Sequence, residues 1–253
     1  MLSAERQREI LRLIRERRRA TVAELSERFG VSPATVRRDL DALEDEGVIR
    51  RSHGGAVVAE RATPEPPIIQ RMMENEEEKR RIGQAAAKLI QDGETIFLGS
   101  GTTTFEVARH LTGKKNLTVI TNALNIVNLL ADQPEITVVV TGGLLRHSEL
   151  SMIGHITEQT LKELRANKVI MGMRAISVQD GLTSDYLPET MTDRAIIQSA
   201  SEVILVADHS KFGKVSTVLV APVTAVHKVV TDSAAPSDIV AELRRLGIEV
   251  ILT

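Results

Sequence analysis

From Thr95 to Leu252 the chain alternates short Val/Ile/Leu/Thr runs with stretches of helical periodicity, and this alternation limits its architecture more than any other feature. The pattern predicts strands at Thr95–Leu98, Leu117–Ile120, Thr137–Val140, Lys168–Met171, Val203–Val206, Val215–Val220, Lys228–Val230 and Glu249–Leu252. Helices at Thr102–Leu111, Ala123–Ala131, Ile156–Leu164, Glu189–Ser199 and Ser237–Leu246 separate most of them. Strands apolar on both sides of the pleat need cover on both faces, so the prediction is a mostly parallel α/β sheet sandwiched by helices. An earlier helix over Glu74–Gln91 turns Ile82, Ala85, Ala86, Leu89 and Ile90 inward, with Glu76/Arg80 and Glu77/Arg81 as i, i+4 ion pairs and Gly93 past its end.

Residues 1–57 follow another pattern. In Ser3–Arg17, Ile10, Leu13 and Ile14 share one helical face. A second helix starts at Thr21, whose hydroxyl and Glu24 form a capping box, and buries Val22, Leu25 and Phe29 before Gly30 ends it. Ser32 caps a third, Pro33 takes its first position, and Val36, Leu40 and Leu43 form its inward stripe up to Gly47. Only Gly30 and Val31 part the second and third helices, the spacing of a helix-turn-helix. Val48–Arg51 and Ala56–Val58 then flank the turn Ser52-His53-Gly54-Gly55, which predicts a two-stranded wing. Pro64, Pro66 and Pro67 favour extended backbone. The expected organisation is a winged helix-turn-helix at 1–57, a linker at 58–73 and an α/β effector-binding and oligomerisation domain at 74–253.

Composition narrows the function. With 42% hydrophobic and 26% charged residues the chain is globular, and with no cysteine it has neither disulfides nor a thiol nucleophile. No signal-peptide core and no long apolar run appear, so the expectation is a cytoplasmic protein without membrane contact. One tyrosine, four phenylalanines and no tryptophan cannot line a base-stacking groove, which leaves double-stranded DNA as the nucleic-acid partner. The six histidines show no metal-ligand spacing, so neither a metal nor another cofactor is expected. Net charge is −2, yet arginines cluster at Arg17–Arg19, Arg37–Arg38 and Arg50–Arg51 in the first unit.

On the third helix Ser32, Ala34, Thr35, Arg37, Arg38 and Asp41 remain outward once the apolar stripe is buried. In a helix-turn-helix this helix enters the major groove, so Thr35 and Arg38 are positioned for base edges and Arg37 for a phosphate or second base. Arg50, Arg51 and His53 in the wing would hold phosphates or the adjoining minor groove. The competing reading is a solvated helix in a protein-binding module.

A second candidate site gathers where strands end. Thr95–Leu98 runs into Gly99-Ser100-Gly101-Thr102-Thr103-Thr104 and a helix, so backbone N–H groups and hydroxyls can cradle a phosphate. The next strands end at Thr121-Asn122 and at Thr141-Gly142-Gly143, and the carboxyl ends of a parallel sheet share one rim. Gly99, Ser100, Gly101, Thr102, Thr103, Thr121, Asn122, Gly142 and Gly143 are therefore expected to surround a small anion. Arg174, Asp185, Glu189 and Lys211 stand near the same rim, where surface charge and helix capping compete with ligand binding as explanations.

These residues resemble the DeoR-type bacterial transcription regulators over nearly the whole chain. Val22-Ala23-Glu24-Leu25, Phe29-Gly30-Val31-Ser32, Thr35-Val36-Arg37-Arg38-Asp39-Leu40, Leu43, Gly47 and Arg51-Ser52-His53-Gly54-Gly55-Ala56 are similar to that family's DNA-binding block. Gly101-Thr102-Thr103, Val119-Ile120-Thr121-Asn122, Gly142-Gly143, Ile153-Gly154 and Asp208-His209-Ser210-Lys211-Phe212-Gly213 are similar to its sensor domain. The resemblance implies a sensor related to ribose-5-phosphate isomerase and glucosamine-6-phosphate deaminase folds, binding sugar phosphates or related metabolites, in a repressor that its effector releases from DNA. The family often has an aspartate at the position of Gly99 and a small residue at that of Arg174. The extra cation leads to the expectation of an effector more acidic than a simple monophosphate.

The function expected is therefore a sequence-specific repressor of a sugar-catabolism operon, a homodimer or homotetramer on a double-stranded operator, without catalytic residues. The alternative is a sugar-phosphate isomerase or deaminase with a fused DNA-binding domain, for which Asp185, Glu189 or Asp208 would be the base.

Overall fold

The computed structural model describes residues 3–17, 19–45, 49–52, 54–58, 60–61 and 66–253. The expectations at Arg18, Gly47, Val48, His53 and Pro64 lie outside them. The chain divides into two compact units, Met1–Arg61 and Ala62–Thr253.

The first unit contains α1 (Ser3–Arg17), β1 (Arg19–Thr21), α2 (Val22–Phe29), α3 (Pro33–Asp45), β2 (Ile49–Ser52), β3 (Gly55–Val58) and the short β4 (Glu60–Arg61). Its core holds the predicted Ile10, Leu13 and Ile14 of α1, Val22 and Leu25 of α2, and Val36, Leu40 and Leu43 of α3, with Ala20, Ile49 and Ala56 added, while Phe29, also expected inside, is only partly buried against it. The capping box forms: the Glu24 N–H donates to Thr21 Oγ1 at 3.2 Å and the Thr21 N–H to Glu24 Oε2 at 2.7 Å. Gly30 ends α2 in the left-handed region at φ 64°, which a Cβ-bearing residue enters only at a cost, and so turns α3 across α2. The wing is an antiparallel sheet in the order β1-β3-β2. Its third member, β1, escaped the sequence reading because three residues, Arg19-Ala20-Thr21, are too few for their alternation to stand out beside the arginine run. Arg6 and Asp39, both buried, form an ion pair of 2.5 Å that ties α1 to α3.

The second unit is built on a seven-stranded parallel sheet. Its strands are β5 (Thr95–Leu98), β6 (Leu117–Thr121), β7 (Ile136–Val140), β10 (Ala166–Met171), β13 (Ala200–Val206), β16 (Lys228–Thr231) and β17 (Glu249–Leu252). They lie in the order β17-β16-β13-β10-β5-β6-β7. Helices α5 (Glu76–Ala87), α6 (Thr102–Arg109), α7 (Leu124–Leu130), α8 (His155–Glu163), α9 (Leu187–Gln198) and α10 (Ser237–Arg245) accompany it, with a separate apolar cluster on each face. The chain lays β6 and β7 to one side of β5 and then returns to lay β10 and all later strands to the other. The order therefore reverses between β5 and β10, and that is where a parallel sheet opens a crevice beyond its strand ends.

Several expectations are corrected. The Val215–Val220 run is broken into β14 (Lys214–Val215) and β15 (Val218–Ala221), and β15 joins β11 (Ala175–Ser177) and β12 (Gly181–Ser184) in a separate antiparallel sheet. The hairpin of β8 (Leu144–Arg146) and β9 (Ser151–Ile153) was also missed, since strands this short carry no readable period. Residues 58–73 are not all linker: α4 (Ile68–Arg71) starts directly after Pro67, and Ile68 and Arg71 are buried. Proline's fixed φ suits the entry to a helix as well as an extended tether. Arg80 pairs with Glu77, three residues back, at 2.7 Å instead of with Glu76.

Candidate functional site

In the second unit the crevice between β5 and β10 is an open cleft. Ser100, Gly101, Thr102 and Thr103 of the β5–α6 turn line it, facing Gly172, Met173 and Arg174 beyond β10 and Val206 and Ala207 at the end of β13. The first-turn N–H groups of α6 have no intrahelical acceptor. Thr102 and Thr103 are each 7% exposed, and neither hydroxyl has a hydrogen-bond partner among the described residues. The turn thus offers backbone donors, two hydroxyls and the positive end of a helix dipole to one point.

Charged side chains surround that point, and they come in pairs. Arg71 of α4 pairs with Glu149, and its Nε donates to the Pro66 carbonyl at 2.9 Å. Arg146 of β8 pairs with Glu189 of α9, and its guanidinium lies 4.4 Å from the Tyr186 ring centre. The Ser151 hydroxyl donates to the other Glu189 oxygen at 3.0 Å. Arg174 and Asp185 stand 3.8 Å apart. Lys211 and Asp193 also line the cleft. Burial raises the carboxyl of Glu189 above its usual range, with Asp185 adding to the rise and Arg146 and Ser151 opposing it. Burial likewise pushes Asp193 well above the ordinary aspartate value, helped by the charges of Glu189 and Glu149. Behind the cleft, burial opposes the charge of Asp208, but Ser210 with Lys211 and Lys79 outweighs it and holds that carboxyl low. Burial depresses Lys79, whose Nζ donates to the Arg71 carbonyl at 2.7 Å.

Of the residues expected around the anion, Ser100, Gly101, Thr102, Thr103, Arg174, Asp185, Glu189 and Lys211 come together here. Gly99, Thr121, Asn122, Gly142 and Gly143 do not line the cleft. Gly99 is still part of the sheet, its N–H donating to the Ile170 carbonyl at 2.9 Å. Thr121 and Asn122 are fully buried: Thr121 Oγ1 donates to the Leu98 carbonyl at 2.6 Å, and Asn122 exchanges hydrogen bonds with Met152 of β9. Gly142 accepts from the Thr157 hydroxyl at 2.7 Å, and a Cβ on Gly143 would lie 2.2 Å from the same oxygen. The rim past β6 and β7 is thus filled by the β8–β9 hairpin and α8. Arg174, read as an extra cation, stands beside Asp185 in the cleft, so its charge is partly offset there.

In the first unit α3 turns Val36, Leu40 and Leu43 inward and leaves Ala34, Arg37 and Arg38 exposed. Ser32 works as a cap: its Oγ accepts from the Thr35 N–H at 3.2 Å and lies 2.9 Å from Thr35 Oγ1. Arg51 is turned back onto α3, with Nη1 2.5 Å from Asp41 and 3.1 Å from the Arg37 carbonyl, while its N–H donates to Glu44 at 2.7 Å. It clamps the wing to α3. Arg50 lies in β2 opposite Val57.

Residues 6–62 match the DeoR-like helix-turn-helix domain, and residues 74–233 match the DeoR C-terminal sensor domain. The chain belongs to the DeoR family of transcriptional regulators. It is 37% identical over 230 residues to the transcriptional repressor AccR of Agrobacterium fabrum, covering 90% of this chain and 89% of that protein. It is 34% identical to the glycerol-3-phosphate regulon repressor of Escherichia coli K12, over 96% of each chain. The regulator GlpR of Haloferax volcanii is 34% identical over 99% of this chain and 98% of its own. Among solved structures, ribose 5-phosphate isomerase A of Methanocaldococcus jannaschii superposes with a TM-score of 0.41 at 21% identity, covering 55% of each chain.

In this DeoR-family chain the sequence reading missed Arg71, Arg146, Glu149 and Asp193 as cleft residues. Arg71 sat in a segment taken as linker, and Arg146 and Glu149 belong to the unseen hairpin and its turn. Asp193 had a usable signal: it follows Glu189 by four residues on one helix, which puts both carboxyls on the same face.

Proposed function

We propose that the chain is a DNA-binding repressor of a carbohydrate-catabolism operon whose sensor cleft takes a phosphorylated sugar or related anionic metabolite. One observation carries the effector reading: Thr102 and Thr103, more than nine-tenths buried, line the cleft at the N-terminus of α6 with hydroxyls that have no hydrogen-bond partner among the described residues. A phosphate there would accept from the first-turn N–H groups and both hydroxyls, with Arg71, Arg146, Arg174 and Lys211 around it. The relative named for a glycerol-3-phosphate regulon supports a small phosphorylated ligand. In the winged unit Thr35, Arg37 and Arg38 would meet the duplex with Ala34, while Ser32 and Arg51 hold the surface in shape. Paired winged units would require a homodimer or homotetramer.

The chain would act by binding and not by turnover, since each carboxylate considered as a base is committed elsewhere. Asp185 faces Arg174, Glu189 holds Arg146 and Ser151, and Asp208 caps the turn after β13. Titration calorimetry with a panel of sugar phosphates tests the effector reading, alongside Thr102→Val/Thr103→Val. Hydrogen bonds to a charged group are worth about 1.5–3 kcal/mol each, so the double variant should lose at least about a hundredfold in affinity. Unchanged affinity would refute the site, and conversion of any panel member would refute the non-enzymatic reading.

A further inference from the structure

Four cations line the cleft: Arg71, Arg146, Arg174 and Lys211. Glu149, Asp185, Glu189 and Asp193 oppose them, so with every group ionised the cleft has no surplus charge, and an entering anion must draw a cation from its carboxylate. Arg71 differs from the other cations in its element, the one-turn helix α4. Ala62–Pro67 alone separate α4 from β4, so α4 is the first helix reached by the chain leaving the winged unit. The β8–β9 turn grips it: the Ser148 carbonyl accepts from the Ile68 N–H at 2.7 Å, and Glu149 pairs with Arg71, both buried. Apolar anchorage is slight, since Ile68 is buried but Ile69 and, just past the helix, Met73 are exposed. The same hairpin faces the cleft, where Arg146 and Ser151 hold Glu189. Between Glu149 and Ser151, Leu150 has φ 51°, a left-handed conformation that costs a leucine energy and persists only while its neighbours are held.

We propose that Arg71 is the positioning residue that couples the cleft to the winged unit: an anion in the cleft draws its guanidinium from Glu149, and α4 is released from the β8–β9 turn. This rests on the anion-site reading and adds the route by which occupancy reaches the chain leading to the winged unit. Both members of the pair line the cleft, so one anion attracts Arg71 and repels Glu149, and the two effects open the same contact. A ligand shifts an equilibrium only by its differential affinity for the two states; here the state with Arg71 turned to the anion binds it tighter. Arg174 and Lys211 strengthen binding without that consequence, since they follow β10 and β13 of the parallel sheet. The strain at Leu150 lowers the cost of opening, because a turn freed of the Glu149 pair can leave the left-handed region.

The test uses the full chain, DNA from upstream of its gene, and inorganic phosphate, glycerol 3-phosphate, ribose 5-phosphate and glucose 6-phosphate as probes. Calorimetry picks the probe that binds tightest, and operator affinities are compared at saturating probe, which separates coupling from a loss of ligand affinity. In the wild type the probe should slow amide exchange around Thr102 and Thr103 yet speed it about threefold or more at residues 68–72, which a ligand that merely stabilises the fold does not do. It should also weaken operator binding about tenfold or more. Arg71→Met/Glu149→Met, which docks α4 by apolar contact, should lose the faster exchange and keep the operator shift within about twofold, while Arg71→Lys, which keeps the cation, should retain about threefold or more. Glu149→Gln should imitate the bound state without any probe, with faster exchange at residues 68–72 and operator affinity lowered toward that of the saturated wild type; if the double variant binds no probe, this variant decides alone. Slower exchange at residues 68–72 with probe, a full operator shift in the double variant, or a Glu149→Gln protein that exchanges and binds the operator as the wild type does overturns the proposal. Failure of every probe to bind the wild type strikes the anion site itself and this inference with it.

Discussion

Arg71→Met removes one half of the ion pair beneath the cleft. Arg71 and Glu149 are 6% and 8% exposed, and the guanidinium also holds the Pro66 carbonyl. Methionine keeps much of the apolar stem, so the main consequence is a carboxylate left in a poorly hydrated site without its countercharge. Breaking such a pair from one side costs about 3–5 kcal/mol, and the low end applies because the pair borders an open cleft that water reaches. For a unit spanning Ala62–Thr253, a loss of about 3 kcal/mol lowers the melting temperature by about 6–12 °C. Glu149→Met should cost a similar amount, whereas the double variant should regain most of it, because two apolar side chains in contact leave no buried charge. Urea and thermal unfolding of the four proteins measure the cycle. A loss under about 1 kcal/mol in Arg71→Met, or a double variant as unstable as the two losses added, would refute this view of the pair.

Other expectations follow from close contacts and charges. A Cβ on Gly55 would lie 2.2 Å from the Ala20 carbonyl oxygen, so Gly55→Ala should part β1 from β3 and abolish operator binding, while Gly54→Ala, at φ 87° with open space, should cost only about 1–3 kcal/mol; circular dichroism and gel shift distinguish them. Asp193, normally near 3.8, is raised on folding, so the stability it confers is complete below that value and is lost as pH climbs through the raised one; Asp193→Asn should therefore gain melting temperature over wild type as pH rises above the ordinary aspartate range. Arg37→Ala and Arg38→Ala should each flatten the slope of log affinity against log salt by about 1 if they meet phosphates, whereas Arg51→Ala should destabilise the wing with its effect on the salt slope secondary.

The winged unit was almost entirely legible in the sequence because its signals are local. A capping box at Thr21, a left-handed glycine at Gly30 and a proline after Ser32 each act within a few residues, and the apolar stripes then allow a single packing. The sensor sheet was legible as parallel α/β, since its doubly buried strands read as apolar runs. The order of its strands was not, because nothing within a strand records its neighbour. That gap bears on the candidate site: with β5, β6 and β7 read as three ends sharing one ligand, Thr121, Asn122, Gly142 and Gly143 were expected around it, and none of them lines the cleft. The reversal between β5 and β10 instead opens the crevice on the other side of β5. Arg71, Arg146 and Glu149 escaped for a related reason. Their roles arise from partners far along the chain, such as Glu149 for Arg71 and Glu189 for Arg146, and spacing within one element carries no trace of them.

The coupling between cleft and duplex is tested most directly by fluorescence anisotropy of DNA from upstream of the chain's own gene, titrated with and without the phosphorylated compound that most raises the melting temperature. That compound should weaken operator binding, and the operator should weaken the compound's binding by the same factor. The Thr102→Val/Thr103→Val variant should hold DNA normally and ignore the compound. Operator affinity unchanged by a compound that demonstrably binds, or a full response in that variant, would contradict the account.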